Sequence, residues 1–326
     1  MNCRTLLTLA LLAVLDAHGA ASPTPLPPPL RLLTAADSVL VVSPHPDDES
    51  LCCGGLIDSA RRAGARVAIV WITNGDAFKW DAMLVEKKLR PRQGAYHELA
   101  QRRIGEARAA AAILQVPKDS QFFLGYPDRG ILSLLFDYYY PGVPWRSRFT
   151  GDEAVEYSDA FDPGAGYNGQ DLLRDFSSVV DRVQPTLVLA PSPQDTHPDH
   201  RAAGILAWRV MDKRQQLDRV RFWIVHGGRR WPRPRGLHPE LPPKVSPRGV
   251  GMEWEAFALD DAAVQAKLQA IRAHRTQTKI MGKTMLGYVR SQELYSRTLA
   301  PSKSNPCLKP QRCEFDNPPI IEGSSL

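Results

Sequence analysis

Short apolar runs alternate with helical patterns along this chain of 326 residues, and this alternation limits its fold more than any other feature. Residues 38–42 form a continuous apolar run that is typical of a buried parallel strand. Further strands are predicted at 66–73, 121–124, 186–190 and 221–225, with a late one at 253–259. Helices are predicted after the polar segment that ends at residue 49 and at 95–114, 172–183, 198–215 and 262–274. Because strands and helices alternate, we expect an α/β fold with a mostly parallel sheet covered on both faces.

One large domain over 37–300 accounts for this pattern. Hydrophobic residues make up 43% and charged residues 23% of the chain, which are ordinary values for a packed globular protein. The proline-rich stretch 22–36 predicts an extended linker before the domain, and residues 301–326 predict an irregular tail after it. Residues 126–170 lack a steady period and predict an insertion within the domain. The aromatic residues of the insertion favour a lid that stacks on sugar rings, with an irregular packed insertion as the alternative; they are Tyr138, Tyr139, Tyr140, Trp145 and Tyr157.

The N-terminus has the pattern of a secretory signal peptide over residues 1–21. Arg4 supplies a positive start, residues 6–15 are apolar, and small residues at 17–21 suit cleavage before Ser22. The apolar run is too short to span a bilayer, which needs about 20 apolar residues. We therefore expect an exported protein, periplasmic or secreted, without a transmembrane segment after cleavage. An uncleaved, membrane-anchored form is the alternative.

The cysteines divide into two pairs if the signal peptide is removed. Cys307 and Cys313 can close a small loop in the tail in an oxidising compartment. Cys52 and Cys53 are neighbours on a predicted helix, where successive side chains point in different directions. We therefore predict that these two are separate, buried thiols rather than a disulfide or metal ligands.

The formal net charge of +6 favours contact with an anionic glycan or membrane surface without requiring it. The basic cluster at 229–248 is broken by prolines and lacks a nucleic-acid-binding motif, so we do not expect a nucleic-acid partner. No protein partner is evident. A nicotinamide cofactor is disfavoured because no Gly-x-Gly-x-x-Gly pattern follows the first strand.

Two short motifs carry the chemistry, and each follows a predicted strand. Residues 44–49 read Pro-His-Pro-Asp-Asp-Glu, and residues 197–200 read His-Pro-Asp-His. Ligands bind beyond the carboxyl ends of the strands in such sheets, so both motifs are expected in one crevice. Together they predict a metal site of two His and one Asp, with a spare Asp and a spare His beside it. Three protein ligands leave a zinc position open for water, as metal-assisted hydrolysis requires.

The local pattern separates the roles within each motif. Successive side chains of an extended segment point to opposite sides, so Asp47 and Asp48 can face different groups. Pro198 suits the first position of a helix, which places His197 near the N-cap and His200 one turn later. Asp199 is then placed to orient an imidazole.

Other charged and imidazole side chains are interpreted more simply. Glu49 is interpreted as helix N-terminal charge or as support for the site. His97, His226 and His238 are interpreted as ordinary surface or packing histidines.

On these motifs the chain resembles the PIG-L/LmbE-like deacetylase family over residues 37–290. The matching pieces occur in the family's order: residues 44–49 followed by Gly54 and Gly55, then 73–76, 103–107, 125–128, 197–200 and 274–277. The resemblance implies a Rossmann-like three-layer sandwich with its active site at the C-terminal strand ends. It also implies hydrolysis of N-acetyl groups, mostly on N-acetylglucosamine conjugates, with zinc or another divalent metal such as Fe²⁺.

The resemblance further implies a role for each residue of the two motifs. His45, Asp48 and His200 are the implied metal ligands. Asp47 is the implied general base. His197 is implied to protonate the leaving amine or to stabilise the oxyanion, with support from Asp199.

Four more positions are implied to bind substrate. Arg103 and Asp128 match positions that face the sugar, with a helix-surface charge or a salt bridge as the alternative for each. His274 and Gln277 match a C-terminal motif that is implied to close the site.

We therefore expect an exported metal-dependent hydrolase that deacetylates an N-acetylglucosamine-type sugar or glycoconjugate. One alternative is an exported amidase for a lipid-linked or natural-product acyl conjugate, with an apolar groove that could be lined by Ile131, Leu134, Leu135 and Phe136. A non-catalytic glycan-binding protein is the other. The presence of a base and an acid, Asp47 and His197, argues against it, since binding alone needs neither.

Overall fold

The computed structural model describes residues 27–78, 83 and 91–299. The predicted signal peptide, the predicted tail, and Cys307 and Cys313 lie outside the described residues. The described part contains one sheet of seven strands in the order β3-β2-β1-β4-β5-β7-β6. Its strands are β1 Ser38–Ser43, β2 Arg66–Thr73, β3 Gln121–Tyr126, β4 Leu187–Pro191, β5 Val220–Trp223, β6 Trp254–Ala258 and β7 Gln292–Ser296.

Seven α-helices surround this sheet in the described part of the chain. They are α1 Asp48–Arg62, α2 Gln93–Ile113, α3 Ile131–Phe136, α4 Gly169–Val183, α5 Pro198–Lys213, α6 Asp261–Ala273 and α7 Arg275–Met285. Helix α1 packs on β1 and β2 and against α6, which also meets α2, whereas α4 and α5 pack on β1 and its neighbours. The result is the predicted three-layer α/β sandwich.

The centre of the sheet is parallel and completely buried. Val41 of β1 pairs with Ile69 of β2 on one side and with Leu189 of β4 on the other. Apolar residues on both faces explain the continuous apolar runs of these strands, because each face is covered by helices. Strand β7 runs antiparallel between β5 and β6, so the sheet is mostly rather than wholly parallel.

The sequence correctly predicts where α1 and α5 begin. Asp48 and Glu49 lie in the first turn of α1, where their charges oppose the positive end of the helix dipole. Pro198 is the first residue of α5, and the His197 ring caps the helix by accepting from the Asp199 backbone N–H. Both helices therefore start at the carboxyl ends of strands, with a motif at each start.

Strand β7 and helix α7 are not among the predicted elements. The β7 sequence, Gln-Glu-Leu-Tyr-Ser, does not show a continuous apolar run. It is nevertheless buried, because Glu293 is neutralised by Lys267 at 2.6 Å and accepts from the backbone N–H groups of Gly55 and Leu56. The buried Lys267–Glu293 ion pair therefore stands where an apolar contact is usual in a buried strand. The apolar pattern that predicts strands does not detect such a pair.

The aromatic residues of the insertion do not form a lid over the site. Tyr157 is buried, with its hydroxyl donating to Asp76, and Trp145 lies against Tyr167. The crevice at the strand ends is lined by other residues. The stacking interpretation is therefore wrong for these side chains, and the alternative of an irregular packed segment fits them.

The separate-thiol prediction for Cys52 and Cys53 is also wrong. The structure joins their sulfur atoms in a disulfide. Neighbouring side chains of a helix diverge by about 100°. The bond shows that this divergence does not keep the two sulfur atoms apart here.

The described part of the predicted linker is not free of the domain. Pro28 and Leu30 exchange backbone hydrogen bonds with Ala256 of β6. In the described part of the chain, every helix is either too short or too polar to span a bilayer.

Candidate active site

A crevice of about 340 Å³ opens at the carboxyl ends of β1 and β4, where both motifs lie. Of the ten residues predicted for the site, seven line this crevice: His45, Asp47, Asp48, Arg103, Asp128, His197 and Gln277. His200, Asp199 and His274 are fully buried beside it. The topology thus brings together two segments that are far apart along the chain.

The three predicted metal ligands converge on one carboxylate. Asp48 Oδ2 lies 3.1 Å from His45 Nδ1 and 3.0 Å from His200 Nε2. Two zinc bonds of about 2.1 Å at a tetrahedral angle separate their ligand atoms by about 3.4 Å. Each imidazole is thus spaced from Asp48 as two ligands of one small divalent ion would be, and ligand atoms of Asp48, His200 and His226 all lie within 4.8 Å of one another.

The chemistry of these atoms also fits a cation. His200 is completely buried, and neither of its ring nitrogens has an aligned hydrogen bond within the described residues, although Asp48 lies close by. Ligands of one ion aim their lone pairs at the ion rather than at each other. Nearby carboxylates add negative charge that a cation would offset; they belong to Asp47, Asp128, Asp195 and Asp199. Nitrogen atoms of His45, His197 and His200 also lie within 4.8 Å of one another.

Asp195 supports His200 and is absent from the predicted site. Its Oδ2 atom lies 3.2 Å from His200 Nδ1 and accepts from the backbone N–H groups of Val225 and His226. Metal-binding imidazoles commonly have a carboxylate on their second nitrogen, which fixes the ring. The sequence does contain a signal for this role, because Asp195 lies two residues before the His-Pro-Asp-His motif.

The predicted base, Asp47, has a strained backbone. Its φ of 142° lies in a region that residues other than glycine rarely adopt. Arg103 approaches Asp47 Oδ2 at 3.5 Å and also donates to the carbonyl groups of Pro46 and Gly75. Burial raises the pKa of Asp47 to about 7, although the Arg103 charge opposes the increase. A carboxyl with such a pKa can accept a proton near neutral pH.

Glu49 binds the backbone of Asp47, and His274 in turn binds Glu49. Glu49 Oε2 accepts from the Asp47 backbone N–H at 3.1 Å, and its Oε1 lies 2.9 Å from His274 Nε2. Burial lowers the pKa of His274, but the Glu49 charge outweighs this and raises it overall. His274 does not line the crevice, so its assignment to substrate binding is corrected to support of the motif. His274 does not bind substrate because its ring forms a buried ion pair with Glu49.

One ring nitrogen of His197, Nε2, is available as a hydrogen-bond donor. Its Nδ1 accepts from the Asp199 N–H at 3.3 Å, so the ring proton of the neutral imidazole is on Nε2. Burial, together with the charges of His45 and His200, lowers the pKa of His197 to about 2. A neutral ring with an available N–H is a hydrogen-bond donor.

Asp199 faces His45 rather than His197. Its Oδ2 atom lies 3.2 Å from His45 Nε2 and accepts from the Arg129 backbone N–H at 2.6 Å. Only its backbone N–H reaches His197, because His197 caps the helix that Asp199 begins. The predicted support of His197 by this carboxylate is therefore corrected. Asp128 also faces His45 Nε2, at 3.4 Å.

Two further side chains at the crevice are missing from the predicted site. His226 was interpreted as a packing residue, but its ring centroid lies 4.6 Å from that of His200 and 5.2 Å from that of His197. Arg129 is exposed at the crevice. Neither lies in one of the recognised motifs, so only the fold reveals their position.

Comparison with known proteins agrees with this geometry. The model of the PIG-L family, described as GlcNAc-PI de-N-acetylase, matches residues 40–211. A 1D-myo-inositol 2-acetamido-2-deoxy-alpha-D-glucopyranoside deacetylase of Saccharopolyspora erythraea is 30% identical over 76% of this chain and 80% of its own length. The diacetylchitobiose deacetylase of Thermococcus kodakarensis is 26% identical over 73% of this chain and 69% of its own length.

A solved structure shares the fold. The zinc-inhibited form of teicoplanin deacetylase Orf2 aligns with a TM-score of 0.50 and 17% identity, over 79% of this chain and 96% of that chain. At this identity the likeness concerns the fold alone. The family match covers more than half of the chain and includes both motifs. The chain belongs to the PIG-L family of metal-dependent N-deacetylases.

Proposed function

We propose that this protein is a zinc-dependent deacetylase that removes the acetyl group from an N-acetylglucosamine-type sugar or glycoconjugate outside the cytoplasm. The observation that carries the proposal is the convergence of His45 and His200 on Asp48, with Asp47 beside them. The relatives named above act on acetylated glucosamine compounds, which supports the same substrate class here.

In the proposed mechanism, His45, Asp48 and His200 hold the metal. When bound there, a divalent ion polarises the acetamide carbonyl and lowers the pKa of a water molecule. Asp47, a buried carboxylate that lines the crevice beside these residues, takes the proton of the attacking water. Arg103 lies beside the Asp47 carboxylate, and Glu49 accepts from the Asp47 backbone N–H, so both keep this residue in place.

His197 contributes when the carbonyl is attacked. Its Nε2–H can donate to the oxygen that becomes negative when the carbonyl is attacked, which stabilises the transition state. As the C–N bond breaks, the proton held by Asp47 passes to the leaving amine. Acetate and the free amino sugar are then released.

Zinc is the metal we propose, because two imidazoles and one carboxylate at this spacing suit a four-coordinate ion with one open position. Imidazole ligands also suit iron, so ferrous iron is the competitor. Metal analysis of the purified protein, with activity measured after removal and return of each ion, distinguishes the two.

The proposed location rests on the N-terminal sequence pattern. Export predicts that cells carrying the full chain place the protein outside the cytoplasm with a mature N-terminus near Ser22. Cell fractionation and intact mass measure both properties. An intact N-terminus on a cytoplasmic protein would exclude this part of the proposal.

The main experiment is acetate release by the purified protein from N-acetylglucosamine, its oligomers and its glycoconjugates. Each substrate is tested with added zinc and with a chelator. We expect release that depends on metal and is lost in Asp47→Asn. Asp119→Asn is the matched control, because Asp119 is exposed in the turn Lys118–Ser120 that precedes β3, at the opposite end of the sheet. Metal-loaded protein that releases no acetate from any of these substrates would contradict the proposal.

A further inference from the structure

His226 places an imidazole at the crevice that has no role in the mechanism above. The residue is exposed there, and its ring nitrogens have no hydrogen-bond partner among the described residues. Its side chain makes ring contacts with His197 and His200. A neutral imidazole carries one nitrogen lone pair, which is a common metal ligand. His226 therefore has a lone pair available to a group in the crevice.

The backbone of His226 is fixed to the carboxylate that also supports His200. Asp195 Oδ2 lies 3.2 Å from His200 Nδ1 and accepts from the His226 backbone N–H at 2.9 Å. The His226 carbonyl group accepts from the Thr196 backbone N–H at 3.1 Å and from its hydroxyl at 2.9 Å. The segment that carries His226 and the turn before α5 therefore form one hydrogen-bonded unit, which keeps the His226 ring beside His200.

The ring of His226 lies close enough to the predicted ligands to share their ion. Ligand atoms of His226, Asp48 and His200 all lie within 4.8 Å of one another. Two ligand atoms of one zinc ion are about 3.4 Å apart, so a shift of at most about 1.4 Å brings His226 into place. An exposed side chain without hydrogen bonds makes such movements readily.

His197, the other spare imidazole beside the predicted ligands, does not offer a lone pair. Its Nδ1 accepts from the Asp199 backbone N–H at 3.3 Å, so its Nε2 carries the proton. A protonated ring nitrogen cannot bind a metal. Of these two imidazoles, His226 is therefore the one that can become a ligand.

We propose that His226 is a fourth protein ligand of the metal in the resting enzyme and that it leaves the metal when substrate binds. This inference rests on the proposed function, because it assumes a metal held by His45, Asp48 and His200. Four protein ligands close a zinc site, whereas catalysis needs one open position. His226 can supply both states because its side chain is exposed, whereas His45 and His200 are buried.

X-ray absorption of the zinc-loaded protein counts the imidazole ligands directly. We expect three imidazoles in the natural chain and two in His226→Gln, because glutamine has no ring nitrogen. His238→Gln is the matched control. His238 lies outside the crevice, where its Nδ1 is 3.7 Å from Glu240, so this variant should keep three imidazoles.

Competition with a chelator measures the contribution of His226 to zinc affinity. We expect His226→Gln to weaken zinc binding by about 10-fold or more, since loss of a residue that only supports a ligand already costs about 10–100-fold. His238→Gln should bind zinc as the natural chain does.

Acetohydroxamate, a small metal-binding analogue of the acetamide, tests the release of His226. If His226 occupies the open position in about nine-tenths of the resting molecules, the zinc-loaded His226→Gln variant should bind acetohydroxamate about 10-fold more tightly than the natural chain. Equal affinities would show that His226 does not have to leave, which would overturn that part of the inference.

The outcomes keep this inference apart from the proposed function. Two imidazoles in the natural chain, or unchanged zinc affinity in His226→Gln, would overturn the role of His226 and leave deacetylation untouched. None of these measurements needs turnover, so a failure to release acetate contradicts the proposed function alone. A purified protein that takes up no zinc would overturn both.

Discussion

At the scale of single residues, strain is concentrated at the predicted base. Asp47 holds a φ of 142°, which costs on the order of 1–3 kcal/mol and persists only when neighbours fix it. Glu49 accepts from its backbone, and Arg103 approaches its carboxylate and holds the preceding carbonyl group. The strain directs the Asp47 and Asp48 side chains to different partners, as the division of roles requires.

Replacement of the base should separate catalysis from metal binding. We expect Asp47→Asn to lower kcat by about 10²–10⁴-fold, the usual contribution of a general base. Metal content should stay near that of the natural chain, because His45, Asp48 and His200 are unchanged. Acetate release and metal analysis measure the two effects. Near-full activity in Asp47→Asn would show that another group is the base.

Replacement of Asp195 should change the affinity for the metal rather than the chemical step of the reaction. Asp195→Asn removes the charge beside His200 Nδ1. Loss of such a supporting carboxylate typically weakens metal affinity by about 10–100-fold. Competition with a chelator of known affinity measures this change, and circular dichroism of the metal-free protein checks the fold. Unchanged affinity would mean that His200 is oriented by its packing alone.

At the scale of elements, the turn between α6 and α7 supports the start of α1. His274 lies in this turn and pairs with Glu49, which in turn binds the Asp47 backbone and Trp71 of β2. Elements from the two ends of the domain thus fix one catalytic side chain. This arrangement explains why His274 of the C-terminal motif lies behind the crevice, although Gln277 of the same motif lines it.

Breaking this support should affect both stability and rate. We expect His274→Ala to cost about 3–5 kcal/mol in the free energy of unfolding, because Glu49 loses its buried partner. The kcat of the folded, metal-loaded fraction should also fall, by up to about 100-fold if the base moves by 1 Å. Arg272→Ala, an exposed substitution in α6, is the control. Loss of stability with an unchanged kcat per folded molecule would limit His274 to a structural role.

At the scale of the whole molecule, buried acids make stability depend on pH. Burial, with the neighbouring Asp128 charge, raises the pKa of Asp76 to about 7 from an ordinary value of 3.8. The folded state therefore binds this proton more tightly than the unfolded state. The resulting stabilisation is complete below about pH 4 and is lost as the pH rises towards 7.

Asp76→Asn should remove this contribution. In the natural chain, Asp76 adds a negative slope of up to about 1.4 kcal/mol per pH unit between pH 4 and 7. We expect a smaller loss of stability over this range in Asp76→Asn, measured by urea unfolding of the metal-free protein at several pH values. Asp119→Asn, with its exposed carboxylate, should keep the natural slope. Parallel curves for Asp76→Asn and the natural chain would show that Asp76 is ionised in the folded state.

The sequence alone determined the core of the sheet and the two motifs. Continuous apolar runs predicted β1 to β5 because a strand covered on both faces must be apolar throughout. The prolines and acidic residues at the starts of α1 and α5 indicated the helix termini, since these effects act within one turn. The apolar runs and the helix-terminal residues both depend only on residues that are close together along the chain.

The tertiary structure decided what depends on contacts between distant segments. Strand β7 is buried through the Lys267–Glu293 pair, His274 turns towards Glu49, and Asp195 reaches His200. The lining of the crevice is also complete only when α7 and the segment around Trp231 meet at the strand ends. Side-chain types and spacing report on local structure, whereas pairing across the fold is set by packing, which no local pattern records.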